Sequence, residues 1–145
     1  LADLGVLDVS LGDTIGVAVP TEIEPVVGPL LEFEADLRIA LHLHDTRGTA
    51  LANAWAGLQL GIDTFDTSVA GLGGCPFAPG AAGNVATEDL VVLFEQCGFE
   101  TGINLGALRA AVTLAGELVQ RPAGGRTTRW LEAEDARRAK ATAAA

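Results

Sequence analysis

Apolar residues along this chain fall into short dense runs, each followed by a stretch with helical spacing. Val6-Leu-Asp-Val-Ser-Leu11 has β-type composition and stops at Gly12-Asp13-Thr14. Pro20 then opens a helical stretch over about 21–35, interrupted by Pro25 and Pro29, which each remove a helical N–H. Leu37-Arg-Ile-Ala-Leu-His-Leu-His44 reads as a buried strand. A helix is predicted from Thr49 to Leu60, where Leu51, Ala54, Trp55, Leu58 and Leu60 broadly follow the 3.6-residue period and Gly61 supplies a C-terminal cap. Thr64-Phe-Asp-Thr-Ser-Val-Ala70 is a third strand, and a Gly- and Pro-rich loop follows to Gly83. Thr87 then caps a helix with Glu88 and Asp89 in its first turn, where negative charge suits the helix dipole. That helix stops near Gly98, and another covers about 104–120. The tail from Arg121 has a Gly-rich break and an Ala/Arg/Glu-rich segment, read as a short helix or disorder.

Three βα units in succession predict an α/β fold with a parallel sheet. They are too few for a closed barrel, which needs eight strands and about 250 residues. No GxGxxG turn follows the first strand, so a dinucleotide site has no support.

Composition narrows this picture. The 145 residues are 49% apolar and 19% charged, a globular rather than a disordered balance. No apolar run approaches the roughly 18 residues of a membrane span, and no basic-then-apolar leader opens the chain. The chain starts at Leu1 and holds no Met, which predicts a fragment or a processed chain. Two cysteines, Cys75 and Cys97, are too few for a disulfide scaffold, and a reducing bacterial cytoplasm is the expected compartment. The net charge of −10 is uneven: residues 1–125 carry four basic and sixteen acidic side chains, whereas 126–145 carry five basic and three acidic. Such an acidic body argues against nucleic acid as a partner.

The densest chemistry is His42-Leu-His44, the only two histidines. Residues i and i+2 of a strand share a face, so both imidazoles project together at the strand's C-terminal end, where parallel α/β folds bind ligands. Two imidazoles with open positions beside them suit a divalent metal, against the plainer reading of two ordinary strand-end histidines. Asp13 ends the first strand at the same mouth, as a site carboxylate or as a loop cap for the next helix. Cys75 sits in the Gly/Pro loop, either as a proton donor or acceptor or as a small loop residue. Asn84 offers an amide oxygen to a hard metal, or is turn chemistry after Gly83. Cys97 reads as a core thiol, and Trp55 and Trp130 as packing residues.

Leu41-His-Leu-His-Asp-Thr-Arg-Gly-Thr-Ala-Leu-Ala-Asn53 is similar to the metal-binding signature of lyase- and synthase-type TIM-barrel metalloenzymes. Asp66-Thr-Ser-Val-Ala-Gly-Leu-Gly-Gly-Cys-Pro-Phe-Ala-Pro-Gly-Ala-Ala-Gly-Asn-Val-Ala-Thr-Glu-Asp89 resembles the 3-hydroxy-3-methylglutaryl-CoA lyases specifically, as does Ser10-Leu-Gly-Asp-Thr-Ile-Gly16. The synthases that make isopropylmalate and homocitrate have a Gly-Glu-Arg type loop where this chain has Gly73-Gly-Cys-Pro76.

The resemblance covers about residues 5–115 and implies a partial TIM (β/α)8 barrel: the last three or so βα units plus C-terminal helices, over 1–120, with 121–145 as a tail. It implies a metal-dependent retro-Claisen lyase making acetyl-CoA and acetoacetate. His42, His44 and Asn84 would hold Mg²⁺ or Mn²⁺, and His42 would also move a proton. Cys75 would be the catalytic cysteine on a closing loop, and Asp13 and Glu88 acidic site residues. An acyl-CoA substrate, a homodimer in full-length form and a missing N-terminal half are implied partners, with no nucleic acid and no membrane. The family's Arg-Asp pair, which supplies a fourth ligand and an enolate-stabilising cation, has no counterpart here, so the 145 residues alone are expected to be inactive. A lyase for another 3-hydroxyacyl-CoA, or a non-catalytic half-barrel used for assembly, are the competing readings.

Overall fold

The computed structural model describes residues 1–32, 37–74 and 83–143. Three strands, β1 (Asp8–Asp13), β2 (Arg38–Leu43) and β3 (Thr64–Asp66), form a sheet in the order β1-β2-β3 with both pairings parallel. Helices α1 (Pro20–Leu31) and α2 (Ala50–Gln59) make the crossovers. This is the α/β succession of a partial TIM barrel, as the sequence predicts.

Two compact units divide the described chain: residues 1–68 with 73–85, and residues 69–72 with 86–145. In the first, alternation along β2 sets the layering. Ile39, Leu41 and Leu43 are buried, while Arg38, Ala40 and His42 lie on the opposite, more open face. Each of those aliphatic side chains stabilises the fold by about 1.5–3 kcal/mol on burial. Ile23 and Val27 of α1 and Ala50 and Ala54 of α2 are also buried. Close packing between α2 and β2 requires Gly57, since a Cβ there would overlap Leu41 Cδ1. Pro20 sits at the first helical position, where its missing N–H costs nothing, and Glu22 Oε2 accepts the Val19 N–H at 3.0 Å. Helix α1 runs through Pro25 and Pro29 and ends at Leu31, short of the predicted residue 35, with the Glu32 N–H bonded to Gly28 O; residues 33–36 lie outside the described set.

The third predicted strand is shorter than expected, at three residues rather than seven. Ala70 adopts φ +61°, which no β-strand tolerates, so the chain turns out of the sheet by Val69–Gly71. It returns alongside β2: Val85 N–H bonds Leu43 O at 2.9 Å, Asp45 N–H bonds Gly83 O at 3.1 Å, and His44 and Asn84 pair as an antiparallel bridge.

The second unit holds α3 (Thr87–Gln96), α4 (Leu105–Val119) and α5 (Arg126–Ala143). Ala86, not Thr87, occupies the cap position of α3. Asn104 caps α4, accepting the Ala107 N–H at 2.9 Å, and Gln120 ends it in the left-handed region. The tail is a regular 18-residue helix rather than a short or disordered one. Its start is capped by α3: Asp89 accepts the N–H groups of Arg126 and Thr127 at 3.0 and 2.8 Å. Among the described residues, no helix is long and apolar enough to cross a membrane.

Candidate functional site

The site is built in the first unit, at the C-terminal end of β2. His42 and His44 project from the same side, with ring centroids 5.1 Å apart and planes at 72°. His44 is buried, and its Nδ1 lies 2.9 Å from the Asp13 carbonyl oxygen. A carbonyl only accepts, so this contact places the His44 proton on Nδ1 and leaves the Nε2 lone pair for another partner. His42 is partly exposed, and its Nδ1 lies 3.5 Å from Asp66 Oδ2. Nothing in the sequence marks Asp66 for a role beside His42; the parallel register of β2 and β3 sets the two opposite each other.

Asn84 is brought beside His44 by the bridge between the two residues. Gly73, at φ +123°, permits this approach, because a Cβ at that position would overlap Asn84 Nδ2. The structure therefore gathers His42, His44 and Asn84 in one place. Two imidazole nitrogens and an amide oxygen are donors that suit a divalent cation. Among the described residues, no group of three or more His, Cys, Asp or Glu side chains comes together that could hold a metal ion.

The Asp13 carboxylate accepts the Val17 and Ala18 N–H groups, each at 3.1 Å. It thus shapes the β1–α1 loop, while its main-chain oxygen positions His44. That loop is tied to the next one. Thr49 Oγ1 and Asn53 Nδ2 both donate to Ala18 O, at 3.0 and 2.9 Å, and Arg47 donates to Val17 O. Gly16 lies against Thr46 and the His44 carbonyl, too close for any Cβ.

Glu88 lies in the second unit, fully buried. Its oxygens accept from Ala70 N–H (3.0 Å), Gly125 N–H (2.7 Å) and Thr128 Oγ1 (3.2 Å). Cys75 lies outside the described residues. Cys97 is an exposed C-cap residue, not the expected core thiol, because α3 ends at Gln96 and the cap turns outward. Trp55 and Trp130 keep 38% and 52% of their surface exposed, so neither is fully buried.

Residues 1–114 match the family model described as HMGL-like. The chain is 49% identical over 122 residues to the hydroxymethylglutaryl-CoA lyase YngG of Bacillus subtilis, covering 84% of this chain and 41% of that protein. It is 48% identical over 120 residues to the (R)-citramalyl-CoA lyase of Chloroflexus aurantiacus, covering 83% and 38%. The crystal structure of the Bacillus subtilis HMG-CoA lyase superposes with a TM-score of 0.83 at 47% identity, over 90% of this chain and 44% of that one. The chain thus spans about two fifths of the length of the curated relatives it matches. With its parallel βα units, its paired imidazoles and a match over most of its length, this chain belongs to the HMGL-like family.

Proposed function

We propose that this chain carries one side of the active site of a divalent-metal-dependent lyase that cleaves 3-hydroxy-3-methylglutaryl-CoA to acetyl-CoA and acetoacetate. The observation that carries the reading is the pair of same-face imidazoles, with Asn84 bridged to His44, in a chain 49% identical to a lyase of that name. His42, His44 and Asn84 would hold Mg²⁺ or Mn²⁺. When bound, the cation supplies Lewis-acid polarisation of the substrate's tertiary hydroxyl.

The chain's own residues account for the rest of this half. A base takes the hydroxyl proton; the carbon–carbon bond then breaks, its electron pair passing to the departing thioester enolate as the C–O bond becomes the ketone of acetoacetate. His42 is kept as a ligand, since a neutral ring that gives one nitrogen to the cation and holds a hydrogen on the other has no lone pair left for that proton. Cys75, nine positions before Asn84 in the sequence, is assigned the return of a proton to the enolate carbon. Asp13 serves by fixing His44 and the mouth of the β1–α1 loop. For Glu88, the three donors around its carboxylate favour a holding role over direct chemistry.

The (R)-citramalyl-CoA lyase relative, at 48% identity, supports a second reading in which the thioester differs and the bond-breaking step is shared. The experiment is to assay the full-length protein with both thioesters, with and without chelator. Chelator-sensitive release of acetoacetate from the methylglutaryl thioester is expected; preference for citramalyl-CoA selects the second reading, and turnover of neither overturns both. The 145 residues alone are expected to turn over neither substrate, and robust release by them would refute the half-site reading.

A further inference from the structure

The geometry points to Asp66 as a positioning residue that sets the tautomer of His42, and to Ser10 as the group that fixes Asp66; this rests on the metal reading of His42 above. In register, His42 is flanked by Gly12 on β1 and Asp66 on β3. Gly12 has no side chain, so of these two flanking residues only Asp66 can reach the ring. Its Oδ2 lies 3.5 Å from His42 Nδ1 and accepts the Ser10 hydroxyl at 2.6 Å. The Ser10–Asp66 contact spans β2 above Ala40, the register partner of Ser10, whose methyl leaves that row low.

A carboxylate beside Nδ1 favours the Nδ1–H tautomer, because ionised Asp can only accept. The lone pair is then on Nε2. His44 reaches the same tautomer by another route, through the Asp13 carbonyl. The two rings therefore present the same nitrogen as ligand, and the sheet register decides both. Acceptors behind ligating histidines characteristically fix ring orientation and raise ligand basicity.

The test uses the full-length protein. Manganese affinity is measured by calorimetry for the wild type and for Asp66→Asn, Ser10→Ala and His42→Ala. The His42 tautomer is read from imidazole ¹⁵N shifts in the metal-free protein. Asp66→Asn is expected to weaken Mn²⁺ binding about 10–100-fold and to move the His42 proton away from Nδ1. The Co²⁺-substituted protein is expected to keep its absorption bands, since Asp66 is not itself a ligand. Ser10→Ala, a smaller change that keeps the proposal open to test if Asp66→Asn folds poorly, is expected to shift both readouts in the same direction by less. If His42→Ala abolishes Mn²⁺ binding while both other variants bind like the wild type with His42 unchanged, the Asp66 assignment is overturned and the metal reading stands. If the wild type binds no Mn²⁺, or His42→Ala binds it equally well, both fall.

Discussion

Replacing Glu88 with Gln exchanges one carboxylate oxygen for an NH₂ at nearly constant volume, in a place with no solvent to adjust it. Oε1 serves Gly125 N–H and Thr128 Oγ1, while Oε2 serves Ala70 N–H. The better rotamer keeps the amide oxygen at the first position and sets the NH₂ against the Ala70 N–H, donor to donor. An orphaned buried donor costs about 1–3 kcal/mol, and losing charge assistance on the other two bonds costs about 1 kcal/mol each. Removing a buried charge returns part of this, because its desolvation was unfavourable. The net expectation is a loss of about 2–3 kcal/mol, rising to about 3–5 kcal/mol for Glu88→Ala, where all three donors lose their acceptor. Urea unfolding of the full-length protein followed by far-UV circular dichroism reads this directly: a lower midpoint at an unchanged slope. Glu88→Gln should shift the midpoint by roughly 1 M or more, given slopes of about 1–3 kcal/mol/M. An unmoved midpoint with a collapsed turnover number would refute the reasoning and return Glu88 to the chemistry.

Gly73→Ala drives a Cβ into the Asn84 amide, so it should weaken Mn²⁺ binding at least tenfold in calorimetry; wild-type affinity would show that Asn84 does not need this approach. Asn104→Ala removes the α4 cap and should cost about 1 kcal/mol in urea unfolding; no change would mean that water replaces the cap. Glu95 titrates below its ordinary 4.5 because the Thr101 hydroxyl, and then the Thr101 N–H, donate to its carboxylate. A depressed folded value means that this contact stabilises the fold above the unfolded value and is lost as the pH falls through the folded one. Thr101→Val should therefore raise the NMR midpoint of Glu95 towards 4.5, and an unmoved midpoint would discount the hydroxyl.

Local pattern made the strands and helices readable where the deciding contacts are near in sequence. The β2 alternation and the helical stripe of α2 are examples, because burial on one face leaves a period in the sequence. Strand β3 stops at Asp66, and by Ala70 the backbone has a positive φ that its side chain does not announce. The length of α5 was hidden for a different reason: its cap comes from Asp89, 37 positions upstream, and an external carboxylate leaves no Ser, Thr, Asn or Asp beside the helix it starts. His42 and His44 were legible as a pair because spacing alone puts them on one face. Asp66 was not, since only the strand register brings it to His42.

On the metal reading, that register also explains how an acidic chain could build a cation site without a carboxylate ligand. The ligands in that reading are two imidazoles and an amide, and the Asp66 carboxylate stands beside His42 Nδ1. On the lyase reading, the face offered to an anionic thioester then carries the charge of the bound cation. The sixteen acidic side chains of residues 1–125 are answered by only four basic ones. Of these, Arg38 is paired with Asp8, Arg109 with Asp135, and Arg47 donates to Val17 O. The first unit, which holds the imidazole pair, contains only Arg38 and Arg47 as basic residues and so offers little free positive charge to a CoA phosphate in this reading. Adding the 145 residues in excess to the full-length enzyme should accordingly leave the apparent KM for the thioester unchanged; a rise would show that they capture CoA by themselves.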